Sequence, residues 1–382
     1  MANITHSITS AAAAASAAKI QVEGIQSVIP LRPTDPRHTR KVTLKHPQTT
    51  DIFQRCHHVI LYYKKASEDD SGWVVGGRLK ESVGRALLEY PMIAGRLRWA
   101  DDRPKDSNGG QRELELVSND SGIRLVEAKL PMSLAEFFEM KEREDVEGEL
   151  VFWEPLNEED PQFCPLAYVQ VTNFECGGYS IGFSLNVVLG DPLELTGFLK
   201  HSAKLHKEMF QENKAPVFYL PKLKTNYNFP PEPSGVTNPK QAGRTLLYAL
   251  NADNSGKEDF GSPRRLALSC IHDAERRLSV DTDYDFALFI KDHKTGDLTV
   301  EAGSRRGLSS GSTPTSAGPE LKCTEWGDAH FDEMMFWGSH KPARVAHWIG
   351  LRANEGLVMV SSPRVEGDSG AVDVMVTIPY QK

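Results

Sequence analysis

No stretch of the 382 residues approaches the ~20 consecutive apolar positions that a membrane-spanning helix needs, so membrane association is expected to be peripheral or through a partner. Basic residues are the minority: 44 Lys and Arg stand against 52 Asp and Glu, a net charge of −8. That balance excludes nucleic acid as the main partner and disfavours general adhesion to anionic lipid. Cysteine is sparse. Cys56, Cys164, Cys176, Cys270 and Cys323 show no CxxC spacing, and an odd, scattered set predicts reduced thiols, with Cys164 and Cys176 as buried filler. The twelve histidines include no HxxxH or HExxH. His57 and His58 lie in an alternating segment that sends neighbours to opposite faces, so no metal is expected. His201 and His206, five apart on a helix, diverge by roughly 140° and read as solvated. The opening MANITHSITSAAAAASAAK has no acidic residue but also none of the arginines of a transit peptide, so residues 1–20 read as a disordered tail.

What is present is the patterning of a globular chain, 40% hydrophobic and long enough for two domains with their own cores. Val59, Leu61 and Tyr63 against Ile60 and Tyr62 predict a strand buried on both faces. Leu79, Val83, Ala86, Leu87 and Tyr90 recur at three- and four-residue steps, one apolar face of a helix that Pro91 ends. RELELVSNDSGIRLVEAKL predicts two strands about an Asn-Asp-Ser-Gly turn, and SLAEFFEMKERED a helix capped by Ser133. FCPLAYVQVTNFECGGYSIGFSLN predicts two strands turned at Cys176-Gly177-Gly178. PLELTGFLKHSAKLHKEMF predicts a helix with Pro192 in its first turn. Six prolines between Lys214 and Gly243 mark 214–243 as a crossover linker between domains 21–213 and 244–382. The second half restarts with a strand at RTLLYAL, a helix at PRRLALSCIHDAERRLSV, a hairpin at DFALFIKDHKTGDLTVEAG and three closing strands. Strands and helices mix without strict alternation, so the class is α/β with mixed β-sheets flanked by helices.

Three segments carry a family resemblance. LKESVGRALLEYPMIAGRLR (79–98) resembles a helix-to-strand signature, CGGYSIGFSLNVVLGDPLELTGFLK (176–200) a strand, turn and helix around an HxxxD motif, and FWGSHKP (336–342) a DFGWGKP motif. In this order they resemble the plant BAHD acyl-CoA-dependent acyltransferases over about residues 25 to 380. The resemblance implies two chloramphenicol-acetyltransferase-like lobes, with a solvent channel between them, Val187 at its centre and the 336–342 loop at its edge. It also implies acyl-CoA as co-substrate or ligand, no other cofactor, and a monomer. In such proteins the HxxxD histidine takes a proton from an acceptor hydroxyl or amine, which attacks the thioester, while the aspartate holds the turn. Aligned without a gap, Asp191 is that aspartate and Val187 stands where the base would be. A valine accepts no proton, and general-base help is worth ~10²–10⁴-fold in rate. In the second motif Phe336 replaces Asp, Trp337 Phe, Ser339 Trp and His340 the second Gly, while Gly338, Lys341 and Pro342 are kept. NDSGIRLVEA (119–128) and FCPLAYVQVTNFECGG (163–178) resemble the ECERIFERUM-type wax branch. That resemblance implies work in very-long-chain fatty-acid elongation beside a ketoacyl-CoA synthase, at the cytoplasmic side of the endoplasmic reticulum, without acyl transfer of its own.

The candidate site residues follow. Asp191, before Pro192, is expected to cap the helix. Asn186 is the nearest polar neighbour of position 187 and reads as a capping amide that could also orient an acceptor. His340 is the candidate substitute base, and Trp337, Gly338 and Lys341 are candidate CoA contacts, Lys341 as a mobile point charge. A weakened acyl-CoA transferase remains the alternative reading.

Overall fold

The computed structural model of the protein describes residues 19–45, 52–100, 112–211, 243–250, 262–280, 284–292, 294–304, 321–351, 355–361 and 372–379. The expected tail up to residue 18 and the expected linker over 214–242 lie outside the described residues. The described elements are β1 (Gln21–Val28), β2 (Thr39–Leu44), β3 (Cys56–Tyr63), α1 (Gly72–Ala86), β4 (Arg96–Trp99), β5 (Arg112–Val117), β6 (Ile123–Leu130), α2 (Leu134–Glu139), α3 (Arg143–Glu147), β7 (Ala167–Phe174), β8 (Tyr179–Asn186) and α4 (Pro192–Gln211). They continue with β9 (Gly243–Leu250), α5 (Pro263–Leu278), β10 (Asp285–Lys291), β11 (Leu298–Ser304), β12 (Cys323–Glu325), β13 (Arg344–Ile349), β14 (Glu355–Ser361) and β15 (Val372–Pro379).

Two mixed sheets flanked by helices result, the expected α/β class. One has the order β1-β6-β7-β8-β3-β13, the other β12-β9-β15-β14-β10-β11-β2-β5-β4. β6 runs parallel to β7, β10 to β14 and β11 to β2. Strands cross between the halves of the chain: β2, β4 and β5 join the nine-stranded sheet, and β13 joins the six-stranded one. A single hydrophobic cluster takes Phe183 and Leu185 from one sheet, Val187 from the turn after it, and Leu357, Met359 and Met375 from the other sheet, so the two sheets share a core. α5 covers a second cluster on the nine-stranded sheet.

Local chemistry explains most boundaries. Ser71 caps α1 by accepting from Val74 N, 3.3 Å away, and Leu79, Val83 and Ala86 on its apolar face are buried. The helix predicted over 133–145 opens as expected, with Ser133 and Glu136 in a reciprocal capping box. It then breaks at Met140, which is extended, giving the short α2 and α3. The predicted strand pair about 119–122 exists but is no hairpin, since β5 and β6 enter different sheets. The divergence is made by left-handed Asp120 and Gly122, and a Cβ on Gly122 would stand 2.4 Å from Val28 O. The thiols correct one expectation: all five are free and Cys56 and Cys270 are buried, but Cys164 is half-buried and Cys176 exposed. Both lie in tight turns outside the strands, where Cys164 packs against the margin of the core and Cys176 faces solvent.

β7 and β8 are buried at every position, as expected for strands covered on both faces. Gly182 in β8 lets the chain before β7 lie directly on the strand, because a Cβ there would stand 2.2 Å from Leu150 O. Gly182→Val is therefore expected to cost about 1–3 kcal/mol by overpacking, read from the urea midpoint; an unchanged midpoint contradicts this contact.

Candidate functional site

β8 ends at Asn186, a single 3₁₀ turn spans Val187–Leu189, extended Gly190 follows, and α4 starts at Pro192. The polar side chains on this turn have partners. Asn186 donates from Nδ2 to Ile52 O at 2.9 Å and accepts at Oδ1 from Val188 N at 3.0 Å. Asp191 Oδ1 accepts from the amides of Leu193 and Glu194, both at 2.9 Å, and the Ser361 hydroxyl lies 3.5 Å from Oδ2. Glu194 Oε2 in turn accepts from Asp191 N at 3.3 Å, which completes a capping box. Glu194 also pairs with Lys291 at the end of β10, tying the helix start to the nine-stranded sheet. Asp191 is thus the cap of α4, the part its position before Pro192 suggests. Asp191→Ala is expected to cost about 1 kcal/mol and Asp191→Asn far less, since asparagine caps equally well; equal losses in a denaturant titration would contradict the capping role.

Val187 itself is 0% exposed, and its amide donates to Arg55 O at 3.2 Å. With no exposed surface, Val187 does not line an open channel in this structure. Beside Asp191 is a crevice of about 10 Å³, room for a single water, lined by Leu193, Leu247, Met359, Ser361 and Met375. The Val187 side chain packs in the shared core.

Two residues that the sequence reading left aside stand next to the turn. Register pairs Cys56 with Asn186 and His57 with Leu185, which sets the His57 imidazole under the turn. Its Nε2–H donates to Gly190 O at 3.2 Å, leaving Nδ1 as a buried lone pair without a partner. Burial holds the His57 pKa down to about 3, opposed in part by the Gly190 hydrogen bond. His58 faces the other way, toward Ser184 and between Trp153 and Trp348, as strand alternation requires. Trp326, directly after β12, packs edge-on to His57 with ring centres 5.9 Å apart and donates from Nε1 to Thr196 Oγ1 at 3.3 Å. Arg55 Nη2 lies 2.6 Å from Glu355 Oε2, a second link from the turn to the nine-stranded sheet. The strand pattern around 56–63 marks His57 as buried; only the register shows its distance from the turn.

The 336–342 loop lies elsewhere, which corrects its place at the edge of a common site. Phe336 is buried against Tyr63 and His206, and Trp337 packs at a tilt against Phe210. His206 and Phe210 lie 14 and 18 residues into α4 from Pro192, hence roughly 20–27 Å from the turn at ~1.5 Å per residue. His340 interacts electrostatically with Asp70, which in turn lies close enough to Tyr179, the first residue of β8, to act on it electrostatically. Seven strand steps, about 23 Å, separate Tyr179 from Asn186. His340 is therefore not placed to act as a base at position 187. Trp337, Gly338 and Lys341 share its end of the sheet, and Lys341 pairs with Asp332 at 3.0 Å on the surface. Asn186, Val187 and Asp191 form one cluster, and the four loop residues form another.

The solvated reading of His201 and His206 is also half corrected. His201 lies 3.1 Å from Glu89, partly exposed. His206 is fully buried between α1 and α4, with Nδ1 3.2 Å from Ser82 Oγ. Burial first, then the Arg78 charge, hold its pKa down to about 3. Among the described residues no group of three or more His, Cys, Asp or Glu side chains is arranged to hold a metal ion. No helix among them is long and apolar enough to cross a membrane.

Comparison with known proteins extends this geometry. The chain is 27% identical over 184 residues to Protein ECERIFERUM 2 of Arabidopsis thaliana, covering 47% of this chain and 41% of that protein. It is 28% identical over 237 residues to the acetyl-CoA-benzylalcohol acetyltransferase of Clarkia breweri, covering 59% of this chain and 51% of that enzyme. The chain thus spans about half or less of the length of these curated relatives. The crystal structure of vinorine synthase superposes with a TM-score of 0.44 at 16% identity, covering 94% of each chain. The Transferase family model matches residues 20–254, a span that holds the β8–α4 turn and the α1 signature. The chain belongs to that family, the BAHD acyltransferases.

Proposed function

We propose that the protein is a BAHD-fold accessory of very-long-chain fatty-acid elongation and cuticular wax formation, acting by contact with a ketoacyl-CoA synthase rather than by acyl transfer of its own. The observation that carries this reading is the β8–α4 turn. Where the family's active members hold their proton acceptor, this chain has Val187, wholly buried in the core shared by both sheets. Asn186 and Asp191 have their polar atoms engaged in capping, and neither is a base available to a substrate. The likeness to ECERIFERUM 2 supports the wax-related branch, and the elongation setting is part of the proposal. Action would be at the cytoplasmic face of the endoplasmic reticulum, where the protein would sit peripherally on its partner.

The second reading is a slow acyl-CoA-dependent transferase. One observation favours it: His57 Nδ1 keeps a free lone pair beneath the turn. Against it stand its burial and its pKa near 3, far below the value near neutrality at which a general base works best.

Co-expression with ketoacyl-CoA synthases in a host lacking wax elongation tests the proposal. The expected result is co-purification with one of them and products longer than the synthase makes alone, unaffected by Asp191→Asn. No change in product length with any synthase would contradict it. Val187→His is expected to restore no transfer and to lower stability by about 1–3 kcal/mol, because an imidazole overfills a fully packed position. Acceptor-dependent thiol release by that variant would instead reveal a usable channel.

A further inference from the structure

Arg78, on the second turn of α1, is half-buried and lies over two aromatic rings. Its guanidinium carbon is 5.0 Å from the centre of the Phe210 ring and 5.6 Å from that of Trp337. Those rings touch each other, 4.9 Å between centres at 57°, so they make a floor beneath the cation. Cation–π attraction orients the guanidinium on that floor. What the floor does not supply is an oxygen. Nε and Nη1 of Arg78 are buried and donate to no acceptor.

An arginine held this way presents a planar fork of donors that matches carboxylate and phosphate oxygens. Leaving a desolvated charged donor without an acceptor is the costly arrangement. Burial accordingly lowers the Arg78 pKa, with no anion acting in the other direction. The backbone on both sides leaves room. A Cβ on Gly77 would meet nothing within 4 Å, and one on Gly338 would meet only a Phe210 ring carbon at 3.8 Å. The same loop carries a second unpartnered nitrogen, His340 Nε2.

We propose that Arg78, on the Phe210–Trp337 floor, is an oxyanion site that takes a phosphate or carboxylate group approaching over Gly77 and Gly338. It lies at the end of α4 opposite the Asp191 turn, so it is independent of what that turn does. Binding is by charge-assisted hydrogen bonds to the guanidinium and weakens with ionic strength.

The test follows the Trp337 indole N–H resonance of the full-length ¹⁵N-labelled protein during titration with sodium phosphate and, separately, sodium acetate, at constant ionic strength. A saturable shift is expected in the wild type and in Arg98→Gln, an exposed arginine paired with Glu115. Arg78→Gln is expected to weaken it about tenfold or more, and Arg78→Lys less, since lysine keeps the charge but not the fork. Tighter phosphate than acetate binding assigns a phosphorylated ligand; the reverse assigns an acidic side chain or terminus. No saturable shift with either anion, or equal shifts in Arg78→Gln, overturns the proposal. If Arg78→Gln does not fold, the Arg78→Lys comparison decides, with equal affinity counting against the site.

Discussion

Trp326→Ala is expected to destabilise the protein by about 3–5 kcal/mol, the largest effect of any single substitution considered. Trp326 is 1% exposed and follows the edge strand of the nine-stranded sheet, yet its neighbours belong mostly to the other one. It meets His57 on β3 and His347 on β13, and its indole N–H reaches Thr196 on α4. Removing the indole leaves a cavity between the sheets and takes the donor from Thr196 Oγ1. Trp326→Phe keeps most of the packing and loses the hydrogen bond, so its cost is expected near 1–2 kcal/mol. Guanidinium titrations of the three proteins would check both figures. Equal loss for Ala and Phe would mean that the hydrogen bond, not the packing, joins the sheets.

A second large effect is acid sensitivity. His57, His58 and His206 are buried and their pKa values are each held down to about 3, in every case chiefly by burial. In the unfolded chain each returns to about 6.5. Below that value the unfolded state binds more protons than the folded one, so stability falls as pH falls. The stabilisation is complete above pH about 6.5 and is lost progressively toward pH 3, by at most ~1.4 kcal/mol per pH unit for each histidine. At pH 5 the three together remove on the order of 6 kcal/mol, comparable to the low end of ordinary domain stability. Urea midpoints at pH 7.5, 6.0 and 5.0 should decline steeply, and His206→Gln should flatten the decline by about a third. A midpoint level across this range would contradict the neutral, buried state of these imidazoles. Asp273, held below the usual carboxylate range by Arg276 and Arg277 against the opposing effect of burial, would act only at lower pH.

The parts of this structure that the sequence discloses are those governed by near neighbours. β3, β7 and β8 announce themselves as apolar runs because they are covered on both faces. The β8–α4 turn is legible because Pro192 and Asp191 are local helix-start signals. β2 was not, since only Val42 and Leu44 of its six residues are buried, too few to show a period. The separation of β5 from β6 is not legible either, because remote strands decide it: β5 lies between its neighbour β4 and the distant β2, and β6 between β1 and β7. His206 could have been found. It continues the stripe of Leu195, Leu199 and Ser202 along α4, so an apolar-only pattern passed over a buried polar member. The 336–342 loop sits at the far end because α4 and β8 are both long, a distance that no local pattern in the sequence states.

The most direct test of the central claim is a free-thiol release assay on the purified protein, with acyl-CoA thioesters from short to very long chain and pooled alcohol and amine acceptors. Wild-type protein, shown to be folded by its denaturation midpoint, is expected to release no CoA beyond the Asp191→Ala control. Acceptor-dependent release above that control would contradict the accessory reading, and its loss in His57→Gln would identify the base.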